Sequence, residues 1–553
     1  MTGPGAPPSP PPQVVVVGAG PVGLTLAIDL GQRGVRCLVV ERSTTARRLP
    51  KMERLNPRSM EIYRRLGLAD AIRAAGMPGH VPMDVYVVSR LCDPPILRMP
   101  YPSPNDAKAR TANVLDGSLP LESNQIISQY TLEPVLRAAA EALPSVTVRS
   151  GCALTSFDQD DTGVTAHLER PDGTSETVRA DYLAGCDGGT STVRKQLGVS
   201  LQGRGSIGTL RQVFFRSDDL VEKVPRVGMA RHFFVADTDA RMIGTLVVVQ
   251  DDQRHFVFHT ALEEDADMVS AIRDVIGVPV QVEVLAITSW KLHLLLAGSY
   301  GQGQVMLVGD AAHLVIPMGA LGLNTGIADA ADLSWKLTAA LAGWGGPELL
   351  PSYAHERRRV GERVLEASEY AANGTATWRK AATPAIFDDT PEGRQARDAV
   401  ARLADVEQRK GQEMLGMELG YRYTDSPVIC YDGGPQPAGH GYAYEPVSCP
   451  GARLPHAWAD EQIAVHDLCQ DGFTLLRLGG TTADTGGLEE AMASLGVPLQ
   501  VLELPAPPVR ALYGADLLLL RPDLHVAWRG DEPPAQPSQV AATVTGWAAQ
   551  PPT

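Results

Sequence analysis

The apolar positions of the first forty residues change period twice. Val14, Val15, Val16 and Val17 are consecutive and β-branched, the pattern of a strand buried on both faces. The run stops at Gly18-Ala19-Gly20-Pro21-Val22-Gly23. Leu24, Ala27, Ile28 and Gly31 then recur at i, i+3, i+4 and i+7, which is one face of a helix. A second apolar run begins at Cys37 and ends on Glu41. The pattern predicts a strand, a helix and a strand over about 14–42.

Further on, KMERLNPRSMEIYRRLGL places Pro57 early in a helix whose apolar side is Met60, Tyr63, Leu66 and Leu68. Helical signal fades over 80–130 in favour of short strands, and a helix follows from about Thr131, kinked or initiated at Pro134. Between 200 and 300, RMIGTLVVVQ, RHFVFHTAL and PVQVEVLAITSWKLHLLLA read as strands, with Asp251-Asp252 at a hairpin turn. Val280, Val282 and Val284 alternate with Gln281 and Glu283, the pattern of a sheet with one wet face. This predicts an antiparallel sheet inserted into an α/β fold. Helical periodicity covers 346–430, a Gly-, Pro- and Tyr-rich stretch at 431–455 reads as a linker, and 456–553 alternates as a small α/β domain. Residues 1–13 are Pro-rich and predict a disordered tail.

Composition narrows the partners. The net charge of −15 argues against nucleic acid or an anionic membrane surface. No stretch reaches the 18 or so consecutive apolar residues of a spanning helix. Seven cysteines without a C-x-x-C pair fit reduced thiols in the cytoplasm and no metal site.

The chemistry lies where strands break into glycine. G-x-G-x-x-G lets the chain turn tightly, brings its backbone against a diphosphate, and aims a helix N-terminus at it. Glu41, about 20 residues on, is placed for a ribose hydroxyl. FAD and NAD both satisfy this. Two later breaks decide between them. Tyr182–Cys186 leads into Asp187-Gly188-Gly189, and Val305–Val308 leads into Gly309-Asp310-Ala311-Ala312-His313. Asp310 at a strand end suits the open polyol of a flavin, which NAD lacks. Gly319 and Gly322 would admit a flat ring, and a helix starting near Asn324 and Thr325 would turn its N–H groups to the flavin C2 carbonyl.

These three segments, GAGPVG with Glu41-Arg42, CDGGTSTVR, and GDAAH with PMGALGLNTGIADAADLSWKL, resemble the single-component FAD-dependent aromatic hydroxylases of the p-hydroxybenzoate hydroxylase type. The likeness is nearest to the phenol hydroxylase, 2,4-dichlorophenol 6-monooxygenase and polyketide hydroxylase branch, and it covers 14–553. PGARLPHAW and LLLLRPDLHVAWR resemble that branch's C-terminal domain. The resemblance implies an α/β fold with a Rossmann-like FAD-binding domain (14–80, 111–200 and 300–345), an inserted antiparallel-sheet substrate domain (81–110 and 201–299), the helical segment, the linker and a thioredoxin-like C-terminal domain without redox cysteines. Carried over, Gly18, Gly20 and Gly23 hold the diphosphate and Glu41 the ribose. Arg42, Arg58 and Gln129 make further FAD contacts, and Asp187 belongs to the Asp-Gly motif. Asp310, Pro317, Gly322, Leu323 and Asn324 contact ribityl and ring. Two departures stand out. Pro50-Lys51-Met52 replaces Pro-Arg-Ala, and Ala320-Leu321-Gly322 replaces Gly-Gln-Gly, so that Leu321 is expected to make the ring face more apolar.

The implied reaction is hydroxylation of a phenolic or polycyclic aromatic by O2 through a flavin C4a-hydroperoxide. FAD is non-covalent, and NADPH or NADH is a transient co-substrate with no domain of its own. Tyr86, His232, His259 and His293 are candidates for a base forming phenolate, and Arg231 and Arg254 for pairing with an anion. A homodimer is compatible with the sequence. Baeyer–Villiger or epoxidising chemistry on a polyketide-like substrate, and a non-catalytic flavoprotein in a biosynthetic complex, remain open. The halogenase motif W-x-W-x-x-P is absent.

Overall fold

The computed structural model describes residues 10–45, 49–51, 53–237, 245–434, 441–460 and 462–548. Met52, most of the Pro-rich tail, the RMIG that precedes Thr245 and part of the 431–455 stretch lie outside the described residues.

The valine run forms the strand Val14–Val17, every residue of it buried. It sits inside a six-stranded sheet ordered Gly301–Gln302, Val305–Leu307, Tyr182–Gly185, Val14–Val17, Cys37–Glu41, Val146–Ser150. All neighbours are parallel except the first pair. A strand flanked by strands on both sides and helices on its faces must be apolar throughout, which is why alternation is missing here. The three strands that break into glycine, ending at Val17, Gly185 and Leu307, are adjacent. Their C-terminal ends therefore open at one edge of the sheet, where ligands of parallel α/β sheets bind. The helix Pro21–Gln32 follows the first break with Pro at its first position.

The second sheet has eight strands ordered His313–Leu314, Glu283–Ala297, Leu201–Arg216, His255–Thr260, Leu246–Val249, His232–Val235, Val85–Val88, Leu97–Met99. It is antiparallel except where His232–Val235 runs parallel to Val85–Val88. Asp251 and Asp252 stand in the turn between Leu246–Val249 and His255–Thr260. Its two faces bury different cores. Val85, Val87, Phe234, Val248 and Val257 pack towards Met318 and Leu321, while Tyr86, Val88, Phe233, Val247 and Phe258 pack towards the helix Met268–Ile276. That helix covers the outer face, and the strand pattern of 200–300 gave no sign of it. The last strand starts at Glu283, so the valine alternation from 280 is only partly strand.

The helix expected from Thr131 starts at Gln129 and contains Pro134 within its first two turns. The helix expected near Asn324 begins at Leu321 and runs to Ala342. A 31-residue helix, Leu349–Arg379, packs beside it. The C-terminal part is a four-stranded sheet ordered Leu499–Leu504, Phe473–Leu478, Leu517–Leu520, Val526–Gly530, with helices Gly486–Ser494 and Pro537–Val544 against it. The described part of 431–455 packs on the molecule: Tyr442 stacks on Tyr370 at 4.2 Å, and Gly416 donates to the Tyr442 carbonyl. Among the described residues no helix is long and apolar enough to cross a membrane.

Candidate functional site

The glycines of the first break have different reasons to be glycine. Gly18 has φ +105°, and a Cβ there would lie 2.5 Å from the Cys186 carbonyl oxygen. A Cβ on Gly23 would strike the Gly18 carbonyl. Both positions are fixed by packing within the protein. Gly20 has nothing within 4 Å of where its Cβ would stand, and neither has Gly188 in the second break (φ +77°). Those two faces are open, and a diphosphate fits where the packing stops. Glu41 closes one side: its carboxylate accepts from the Ala19 N–H at 3.0 Å and the Ser43 N–H at 2.8 Å. Arg42 beside it is exposed.

Asp187 caps the short helix Thr192–Gln196 through one oxygen, which accepts from the Thr192 and Val193 N–H groups. The other oxygen is buried without a partner, an orphan of the kind a ligand satisfies. Arg194, quoted in the motif with no role assigned, is buried and donates to the carbonyls of Ala311 and Gly189. It ties the second break to the third.

In the third break Asp310 stands in a single 3-10 turn, Gly309–Ala311, with its side chain one-third exposed. Lys51 Nζ lies 2.9 Å from it. Burial would raise the Asp310 carboxyl, but Lys51 and then His313 hold it below the usual carboxylate range, so it is ionised and acceptor-only. Behind it Asp329 is fully buried and accepts from the Gly309 N–H, His313 and Arg357. Gln129, at the head of its helix, donates to Glu133 at 2.6 Å, and Glu133 feels the charges of both Glu41 and Lys51, which puts Gln129 in the same neighbourhood.

The ring side is a backbone corner. Gly319 (φ +83°) and Ala320 (φ +54°) are both left-handed, and the long helix starts immediately after with no side-chain cap. The N–H groups of its first turn, Leu321, Gly322 and Leu323, have no preceding turn to bond to. They form a donor set for a carbonyl that gathers negative charge. Pro317 accepts from the Ala320 N–H and shapes the corner. Asn324 contributes differently from what its motif implies. Its amide accepts from the Asn56 N–H and the Ser59 hydroxyl and donates to the carbonyls of Arg54 and Ala320, so its side chain is wholly used inside the protein. Leu321 also departs from expectation: it is 2 % exposed and packs into the core, so it does not coat a ring face. Gly322 owes its lack of a Cβ to Val315, 3.0 Å away.

Arg58 is not brought to this site. It is buried against the C-terminal domain, donating to the Asp523 carbonyl at 3.0 Å, with Glu61 3.9 Å away. Its N-x-R setting gives no sign of a partner 465 residues on. Arg54, which the sequence reading passed over, does reach the site. It spans the Gly319 carbonyl at 2.9 Å and Glu418 at 2.8 Å, pinning the left-handed corner.

Strand parity sorts the candidate bases. Tyr86 stacks on Phe233 at 5.3 Å on the face turned from the long helix. His293 accepts from the Ser206 N–H of the neighbouring strand. His232 and His259 share the parity of Phe234 and Val257 and face the cofactor side. Arg254 is exposed. Arg231 is buried and paired with Glu53 at 2.8 Å. A cavity of about 100 Å³ beside the corner is lined by Arg54, Met83, Tyr101, Asn124, His232 and Gln412. A larger one, about 200 Å³, lies at the seam with the C-terminal domain among Arg33, Arg64, Arg65, Asp467 and Asp471. It touches none of the glycine breaks.

Three adjacent strand ends, two of them with an open glycine face, an ionised aspartate and an uncapped helix N-terminus define a flavin-binding protein. Residues 12–368 match the FAD binding domain family and 448–551 the aromatic-ring hydroxylase C-terminal family. The chain belongs to the FAD-dependent aromatic-ring hydroxylases and is an FAD-dependent monooxygenase. It is similar to the FAD-dependent monooxygenase apdD of Emericella nidulans, 35 % identical over 94 % of this chain and 87 % of that one. It is also similar to aklavinone 12-hydroxylase RdmE of Streptomyces purpurascens, 32 % identical over 95 % and 96 %. Among solved structures it superposes on RebC-10x, described as native and K252c-bound, with TM-score 0.89 and 34 % identity over 97 % of this chain and 99 % of that one. The ternary complex of aklavinone-11 hydroxylase with FAD and aklavinone gives TM-score 0.80 and 29 % identity over 97 % and 99 %.

Proposed function

We propose that this chain hydroxylates a phenolic or polycyclic aromatic compound, with substrate, O2, NAD(P)H and a proton giving hydroxylated product, NAD(P)+ and water. The carrying observation is the cavity lined on one side by Arg54, Asn124 and His232, which Arg54 links to the Gly319-Ala320 corner through its bond to the Gly319 carbonyl. The relatives named for aklavinone, a polyketide aromatic, support the same class. Bound FAD supplies the oxygen-activating chemistry and the nicotinamide the electrons. The chain's own residues do the rest. Gly18, Gly20, Gly23 and Glu41 would hold the diphosphate and ribose, and Asp310 the ribityl hydroxyls. The N–H groups of Leu321, Gly322 and Leu323 would meet the ring's C2 carbonyl. The apolar core around Met318 and Leu321 backs the Gly319-Ala320 corner and keeps water out from behind it. None of the seven cysteines stands in a disulfide, which supports a cytoplasmic setting.

The test is a panel of phenols and hydroxyquinones scored by NAD(P)H consumption together with product mass and position of the new oxygen. A product with one added oxygen on an aromatic ring is expected. Ring insertion or epoxide products overturn the hydroxylase reading. Bound FAD that NAD(P)H cannot reduce in the presence of any panel member overturns the enzymatic one.

A further inference from the structure

We propose that His232 is a hydrogen-bond donor to the substrate, through Nδ1–H, and not the base that deprotonates it, so that the cavity selects flat aromatics carrying carbonyl or phenolate oxygens along one edge. This rests on the reading of the cavity as the substrate site.

The argument begins with Arg231. Its Nε–H points to His232 Nε2 at 3.3 Å, and its other arm holds Glu53 at 2.8 Å. A guanidinium has donors and no acceptor, so Nε2 must offer its lone pair. A neutral imidazole has one N–H, which this contact leaves on Nδ1. Arg231 itself is 1 % exposed and held by Glu53, whose second oxygen accepts from Gln250, which in turn accepts from Ser128. The tautomer is therefore set by a buried chain four residues deep. His232 lines the cavity, and among the described residues nothing pairs with its Nδ1.

The ring is also kept neutral. Burial, then Arg231, Arg54 and His259, all press its pKa well below the usual histidine value. The charged and titratable groups that face it are Arg231 beside it, Arg54 on the strand Arg54–Leu55, His259 on His255–Thr260, itself pushed down to about 4 by burial, and across the cavity Tyr101, whose hydroxyl donates to Glu413 and which burial keeps protonated. The acids nearby are engaged, Glu53 by Arg231 and Glu418 by Arg54. Arg54 is likewise a donor without acceptor capacity. The polar wall thus offers donors from His232 and Arg54 and one acceptor, the Asn124 side-chain oxygen, which is buried without a partner, while Met83, Pro102 and Pro104 form the apolar side. A ligand complementary to all three is a planar ring system whose edge carries acceptor oxygens and a hydroxyl. The base for a phenol must come from elsewhere, or the phenol must arrive as an acid already weakened by an adjacent carbonyl.

The experiment uses the FAD-loaded enzyme labelled with 15N-histidine, the oxidised flavin and no nicotinamide, so that nothing turns over. The His232 signal is assigned by its loss in His232→Asn. We expect an Nδ1-protonated ring that does not titrate between pH 6 and 8, and an Nδ1 proton shifted by 1,8-dihydroxyanthraquinone. Arg231→Met should release the tautomer. An Nε2-protonated ring, titration within that range, or a probe that binds without moving the Nδ1 proton overturns the proposal, and failure of the probe to bind overturns the ligand class. In turnover, His232→Asn places an amide near Nδ1 and should keep KM within about threefold, whereas His232→Leu should raise KM about tenfold with little change in kcat. Equal loss of kcat in both variants means a base. The ring's tautomer is measured without activity, so its failure is separate from failure of the hydroxylase reading.

Discussion

The two halves of the helix Leu321–Ala342 solve opposite problems with the same buried backbone. At its head, Gly319 and Ala320 are left-handed, no side chain caps the turn, and the first N–H groups stand open. Further along, Asp332 and Lys336 are buried in a closed ion network. Lys336 donates to Asp332 at 2.9 Å and Glu356 at 2.6 Å, and Arg521 from the C-terminal domain donates to Glu356, Asp332 and Asp523. Every charge there is met by protein. The difference separates function from architecture: unsatisfied donors mark where a ligand belongs, and satisfied charges, however many, hold two domains together.

The largest expected effect comes from breaking the closed half. Arg521→Met leaves Glu356 and Asp332 with Lys336 as their cation and Asp523 with His525, and should cost about 3–5 kcal/mol. Urea denaturation should show it, with the C-terminal domain melting early. A variant as stable as the parent would mean that the network does not hold the seam.

Acid should act next, at the same seam. His456 is 2 % exposed, both ring nitrogens lack partners, and burial first, then Arg453, lowers its pKa to about 4. The unfolded chain takes up this proton near pH 6.5 and the folded one only near 4. Stability is therefore full above 6.5 and falls as pH drops through that window, by at most on the order of 3 kcal/mol. Tm measured from pH 7.5 to 4.5 should fall, and His456→Phe should make the fall shallower, the rest coming from the other histidines whose pKa burial lowers, His232, His259, His466 and His525. A parent curve without that slope contradicts the burial argument.

The open half is probed by ligand affinity. Asp310→Ala should weaken FAD by about 1.5–3 kcal/mol, the worth of a charge-assisted hydrogen bond. Calorimetric titration of apoprotein reads it, and unchanged affinity removes Asp310 from the site. The smallest effect on the fold is expected at Gly20. Its φ of −72° suits any residue and its Cβ direction is open, so Gly20→Ala should leave apoprotein stability within about 0.5 kcal/mol while FAD affinity falls. Gly18→Ala, strained at φ +105° and in collision with Cys186, should lower both. If the two variants behave alike, the distinction between packing glycines and ligand glycines fails.

What could be read beforehand follows the range of the interaction. The three glycine breaks were legible because each is a local spacing at a strand end. The antiparallel sheet was legible in its strands, but the alternation at 280–284 read as one wet face, whereas both faces of the sheet bury cores. The helix Met268–Ile276 was not, because a strand-rich stretch masks a short amphipathic insertion. The start of the long helix was misplaced by one turn, since an alanine in left-handed conformation carries no cap signal. Arg58, Arg54 and the Arg521 network depend on partners separated by up to 465 residues, which no spacing encodes. The His232 tautomer depends on which atom of Arg231 faces it, and that is geometry alone.

The order of the strands in the six-stranded sheet has a consequence in time. Val14–Val17, made before its neighbours in this sheet, lies between Cys37–Glu41 and Tyr182–Gly185, and Val305–Leu307 must add beyond that before Asp310 is delivered. Roughly 290 residues separate Gly18 from Asp310, which at ~5–20 residues per second is on the order of 15–60 s of synthesis. Through that interval the growing chain exposes an apolar sheet edge with no cofactor to cover its end. The nucleotide pocket is begun at Gly18 and closed only some 290 residues later at Asp310, so capture of FAD is a late event in the making of this domain.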